Sequence, residues 1–105
     1  MGAYAHYMMG KLIAFVIYSK GDRTKSSKFS KKFYGQDTSS HNGKYRYRRK
    51  GFLDNVPHIK LIRGVIIVKK EDIDRVLNFL SQYDLKILIR NVELKKEDIQ
   101  ILNKN

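Results

Sequence analysis

The sequence predicts an α+β fold in the ferredoxin-like β-α-β-β-α-β order, an antiparallel sheet with helices on one face, closed by a short C-terminal helix. Three observations carry this expectation. Residues 11–19 and 58–68 are strongly apolar, rich in Val, Ile, Leu and Phe, and read as strands. Residues 71–83 hold Ile73, Val76, Leu77 and Leu80 at i, i+3, i+4 and i+7, one apolar helical stripe. Short strand segments alternate with these elements, as they do when helices pack on an antiparallel sheet.

In chain order, residues 11–19 form the first strand, ended by the turn residues Lys20-Gly21-Asp22. Residues 23–34 are polar and basic, but Phe29 and Phe33 lie four apart, so a short helix presents both on one side. Residues 35–43 lack any large apolar side chain and include Asn42-Gly43, which predicts a loop. Residues 44–50 alternate cationic and aromatic groups with period two, the pattern of a strand. Residues 51–57 connect to the 58–68 strand, the 71–83 helix follows, and 85–94 is the last strand before a helix over 96–102.

An internal echo supports both helix starts. Leu61-Ile62-Arg63-Gly64-Val65 leads through Lys69-Lys70-Glu71-Asp72 into one helix, and Leu88-Ile89-Arg90-Asn91-Val92 through Lys95-Lys96-Glu97-Asp98 into the other. The acidic pair suits the positive end of each helix dipole. In this plan the 11–19 and 58–68 strands are central. The 44–50 and 85–94 strands fall at the edges, where basic side chains also discourage unwanted pairing.

The length of 105 residues fits one domain. Residues 1–10 are expected to be a disordered N-terminal extension, and residues 11–105 a single basic α+β domain. The absence of Cys excludes a disulfide framework, a Cys-based zinc site and thiol catalysis. The longest apolar run, residues 12–18, is far shorter than the roughly 20 residues of a membrane-spanning helix. Residues 1–10 show no basic, apolar and cleavage pattern of a secretory signal, so a cytoplasmic location is expected. The high Lys, Arg and Ile content without Cys is compatible with a thermophilic source.

The formal net charge is +12, and its distribution is uneven. Between residues 20 and 50, eleven basic residues face only Asp22 and Asp37, whereas from residue 51 onward ten basic residues face eight acidic ones. An anionic partner is therefore expected to meet the first half of the chain. Nucleic acid is favoured over a membrane surface, because no basic amphipathic helix with aromatic anchors is visible.

The centre of this segment is Lys44-Tyr45-Arg46-Tyr47-Arg48. Alternation puts the two tyrosines on one face of a strand and the three cations on the other. If the tyrosine face is open, it can stack bases while neighbouring cations hold phosphates. If that face is packed, the tyrosines belong to the core and only the cations meet the partner. Arg49, Lys50, Lys28, Lys31 and Lys32 extend the set. Arg63 joins it as a cation within an apolar strand, next to a glycine that would let a ligand approach. The small residues of the 35–43 loop could present backbone N–H groups to an anion, although Gly, Asn, Asp and Ser fill ordinary surface loops equally well.

Catalysis has little support. His6, His41 and His58 are scattered without ligand spacing, so neither a metal nor a cofactor is implied. Asp22, Asp37 and Asp54 fall where turns favour Asp for its geometry. The expected function is a non-enzymatic nucleic-acid-binding module, RNA ahead of DNA because aromatics accompany the cations. It would act alone, as a homodimer or within a ribonucleoprotein. Two alternatives stand beside it: a small nuclease using His41 or His58 for acid–base cleavage, and a protein-interaction module pairing through an edge strand.

In broad plan the chain resembles the small CRISPR-adaptation nuclease family, basic ferredoxin-like domains of similar size. That family carries an aspartate directly after the tyrosine that ends its first strand, whereas here Ser19 follows Tyr18. The resemblance covers the strand order and one strand end, so it carries over neither nuclease activity nor a dimer.

Overall fold

A computed structural model describes residues 9–17, 23–40 and 45–103, with the side chains of residues 23, 38–40, 45 and 46 left out. The elements are β1 (Met9–Ile17), α1 (Arg23–Tyr34), β2 (Gln36–Ser40), β3 (Tyr45–Arg49), a 3-10 turn (Phe52–Asn55), β4 (His58–Ile62), β5 (Val65–Lys69), a second 3-10 turn (Lys70–Asp72), α2 (Ile73–Leu80), β6 (Leu85–Glu93) and α3 (Lys96–Leu102). They sort into two units, Met1–Tyr18 with Pro57–Asn105, and Ser19–Val56.

The first unit is an antiparallel sheet in the order β4-β5-β1-β6. β1 pairs with β6 without a break from Met9 opposite Glu93 to Ile17 opposite Leu85, and with β5 from Gly10 opposite Lys69 to Ala14 opposite Val65. The most apolar strands are thus central, since only there are both faces available for burial. One face places Ile13 between Ile66 and Ile89 in the register. Ile13 and Ile66 are wholly buried, as are Val76 and Leu80 of α2. On the other face, Leu12, Ile59 and Val92 pack with Ile99 against Ile67, Leu94 and Leu102, so α3 covers that side.

Several expectations change here. The strand expected over 58–68 is a hairpin, β4 and β5, turning at Arg63-Gly64. Gly64 adopts φ 92°, a left-handed conformation that glycine enters without steric cost. Its carbonyl accepts a hydrogen bond of 2.8 Å from the Phe15 N–H. Arg63 is consequently an exposed turn residue and not a cation trapped in an apolar strand. β4, not the 44–50 segment, is the sheet edge opposite β6. β1 also begins two residues before residue 11, and Gly10 is buried in it beneath Leu94. The rest of the expected extension, residues 1–8, lies outside the described residues, as do the 20–22 turn and the Tyr18–Ser19 junction.

The repeated Lys-Lys-Glu-Asp sequence opens both helices in two ways. Before α2 it forms the Lys70–Asp72 turn, and Asp72 pairs with Arg75 at 3.1 Å. At α3 it enters the helix itself, and Asp98 accepts a hydrogen bond of 2.9 Å from the Lys95 N–H. In each case carboxylates sit in the first turn, where free N–H groups attract negative charge.

The second unit is built on α1. Phe29, Phe33, Leu53 and Val56 are its buried apolar groups. The Phe33 ring stacks on Phe29 at 5.2 Å and on Phe52 at 6.1 Å, and meets Tyr34 edge-on at 5.0 Å. This aromatic cluster supplies what serine-rich local propensity does not, and Lys31 and Lys32 in the last turn suit the helix dipole. Gly35, at φ 89°, ends the helix, its N–H donating to the Lys31 carbonyl at 3.0 Å.

The loop expected over 35–43 is corrected as well. Gln36–Ser40 is β2, and it pairs with β3 from Gln36 opposite Arg49 to Ser40 opposite Tyr45. The basic strand therefore belongs to a separate two-stranded ribbon and not to the main sheet. A polar segment becomes a strand because its neighbour supplies the ladder, a tertiary effect that residue preference does not carry. The connecting residues 41–44 lie outside the described residues.

Candidate nucleic-acid interface

The unit boundary coincides with the charge boundary. Ser19–Val56 carries eleven basic residues against Asp22, Asp37 and Asp54. Lys25, Lys28, Lys31 and Lys32 are all exposed on α1, and with Phe29 and Phe33 turned inward helical periodicity sets Lys28 and Lys31 farthest from the buried side. Neighbouring lysines three or four apart stand about 5–6 Å from one another along such a face, a spacing close to that of successive phosphates.

On β3, alternation separates Tyr47 and Arg49 from Arg48. Tyr47 is 52% exposed, and Arg49 and Lys50 are exposed beside it. Arg48 turns to the other side and is held there. Its Nη2 donates to the Tyr34 carbonyl at 2.8 Å and to both Asp54 carboxylate oxygens at 2.8 Å, while Nη1 donates to Asp37 Oδ1 at 3.2 Å. The Tyr34 carbonyl is at the C-terminal end of α1, where carbonyls lack helical partners and the dipole is negative. The hydrogen bond from Arg48 to Asp54, and then that to Asp37, raises the guanidinium pKa above its ordinary value.

Asp54 has a second duty, accepting a hydrogen bond of 2.7 Å from the Gly51 N–H. Both carboxylates described in this unit are therefore turned onto one arginine. Lys28, Lys31, Lys32, Arg49 and Lys50 pair with no carboxylate among the described residues.

Comparison with protein-family models, curated proteins and solved structures finds no match.

Of the eleven residues selected from the sequence, Lys28, Lys31, Lys32, Tyr47, Arg49 and Lys50 are all exposed within this unit. Arg48 is in the same unit but committed to its carboxylates. Arg63 belongs to the other unit. Lys44 and the side chains of Tyr45 and Arg46 lie outside the described residues, as do His6 and His41. His58 is half-buried on β4. Among the described residues no group of three or more His, Asp or Glu is placed to hold a metal ion, and no helix is long and apolar enough to cross a membrane.

Sequence reasoning missed Asp54, taken as an ordinary turn residue. A signal was present: Gly51 and Asp54 stand at the N-cap and N3 positions of a short helical turn, the spacing of a capping carboxylate.

Proposed function

We propose that the second unit is a non-enzymatic nucleic-acid-binding module, with single-stranded RNA favoured, acting alone or within a ribonucleoprotein. The observation that carries this reading is the set of exposed cations Lys28, Lys31, Lys32, Arg49 and Lys50, with no carboxylate partner among the described residues, in one unit with an exposed Tyr47 and only three acidic residues. Cations hold phosphates without regard to sequence, and an exposed ring offers a stacking platform that a duplex does not need. The first unit carries eleven basic against seven acidic residues, a smaller excess, and serves as scaffold. Its fold is proposed to be ferredoxin-like, supported by the order β4-β5-β1-β6, which puts β1 and β5 at the centre as that plan requires.

The test is a salt titration of binding to labelled single-stranded RNA. About six phosphate contacts give a log–log slope of roughly −4 to −5. A flat slope, or no retention at moderate salt, overturns the reading. Within it, Tyr47→Ala is expected to weaken single-strand binding by about 1–3 kcal/mol and to leave duplex binding unchanged. Equal losses on both substrates would remove the stacking role.

A further inference from the structure

Among the described cations of the basic strand, Arg48 is set apart by its anchoring. Its guanidinium bridges the end of α1 through the Tyr34 carbonyl, β2 through Asp37, and the Phe52–Asn55 turn through Asp54. Three elements thus meet at one side chain on β3. The partners differ in what they offer. Asp37 is 86% exposed and makes one contact of 3.2 Å. Asp54 is 24% exposed, engages Arg48 through both oxygens, and is itself fixed by the Gly51 N–H. Nη2 serves a carboxylate and a carbonyl and Nη1 serves a second carboxylate, so the fork is fixed in place, and the adjacent carboxylates repel a phosphate that would approach its remaining donors.

We propose, resting on the nucleic-acid reading above, that Asp54 and Arg48 are a positioning pair that does not touch the nucleic acid. Asp54 holds Arg48 on one side of β3, and strand alternation then presents Tyr47 and Arg49 on the opposite side toward the ligand. Arg48 acts through the backbone of its own strand, and Asp54 acts through Arg48.

The pair makes a prediction opposite in sign to simple electrostatics. Asp54→Asn removes a negative charge from a basic surface. If Arg48 were a phosphate contact restrained by Asp54, that change would free it and tighten binding. A positioning pair requires the reverse: Asp54→Asn weakens binding to a labelled single-stranded RNA by about threefold or more, the scale of coupled neighbours. The salt slope stays unchanged, because no phosphate contact is lost. A loss of stability alone would not produce this signature while the variant remains folded.

The closing experiment runs the full-length chain, Asp54→Asn and Arg48→Lys through the same salt titration, with folding of each checked by circular dichroism. Arg48→Lys keeps the charge but lacks the fork that spans two carboxylates and a carbonyl. It is expected to weaken binding with an unchanged slope, and it decides the question if Asp54→Asn does not fold. Tighter binding by Asp54→Asn, wild-type affinity in Arg48→Lys, or a slope lowered by about 0.7 in either variant overturns the pair while the nucleic-acid reading stands. A wild-type chain that shows no salt-dependent binding overturns both.

Discussion

Replacing Phe33 with alanine is expected to cost about 3–5 kcal/mol, and to take that cost from the second unit alone. Phe33 is wholly buried and is the hub of the aromatic cluster, stacked on Phe29 and Phe52 and edge-on to Tyr34. Its removal leaves a cavity and dissolves three ring contacts, each worth about 0.5–1.5 kcal/mol beyond area burial. The unit has few other buried apolar groups, only Phe29, Leu53 and Val56 among the described residues. Neighbours that are themselves aromatic and rigid cannot close the gap cheaply. Native-state hydrogen exchange reads the effect: protection of the α1 amides falls while the β1, β5 and β6 amides keep theirs. An equal loss in both units would mean that they unfold as one, and a loss below about 1 kcal/mol would mean that the cluster is not the core of its unit.

How much of this was legible in the sequence depended on whether the deciding interaction was local. β1, α2, β6 and α3 could be read directly, because a strand apolar on both faces, or an apolar stripe such as Ile73, Val76, Leu77 and Leu80, is a property of the segment itself. The β4–β5 hairpin was nearly legible: Gly64 interrupts the apolar run, and a glycine there marks a turn as readily as a close approach. β2 was not legible. Gln36-Asp37-Thr38-Ser39-Ser40 has loop composition, and only its partner strand makes it β.

The candidate interface divided in the same way. The excess of charge in the first half could be counted, and it coincides with a structural unit. Alternation told which side chains of β3 share a face, but not which face the unit would cover. The side on which Arg48 is held is set by Asp54, six residues further on and brought back by the Phe52–Asn55 turn, whose one sequence signal is the capping spacing of Gly51 and Asp54. Tyr47 stands on one face, and Arg48, one of the cations expected to meet the ligand, is engaged on the other by its carboxylates.

The turn itself depends on a glycine whose backbone is ordinary. Gly51 has φ −101° and ψ 178°, an extended conformation that alanine adopts freely. A Cβ there, however, would stand 2.1 Å from the Gly35 nitrogen, 2.6 Å from the Tyr34 carbonyl carbon and 2.7 Å from the Phe33 oxygen. All three are backbone atoms at the end of α1, so no side chain can swing away to make room. Gly51→Ala is therefore expected to cost at least about 3 kcal/mol, the upper end of ordinary overpacking, where flexible side chains share the strain. Relief requires the Phe52–Asn55 turn to move off the helix end. That movement carries Asp54 away from the helix end, where Arg48 is bound to the Tyr34 carbonyl, and so weakens the hold on Arg48. Gly64→Ala is the control. Its positive φ places it where alanine is strained by about 1–2 kcal/mol, and the atom facing its Cβ is at 3.0 Å. Backbone conformation alone ranks Gly64 as the more sensitive position, and close approach ranks Gly51. Hydrogen exchange of the two variants, compared unit by unit, separates these views: Gly51→Ala should lose protection in α1 by the larger amount, and a smaller loss than that of Gly64→Ala in its own sheet would show that the helix end yields easily.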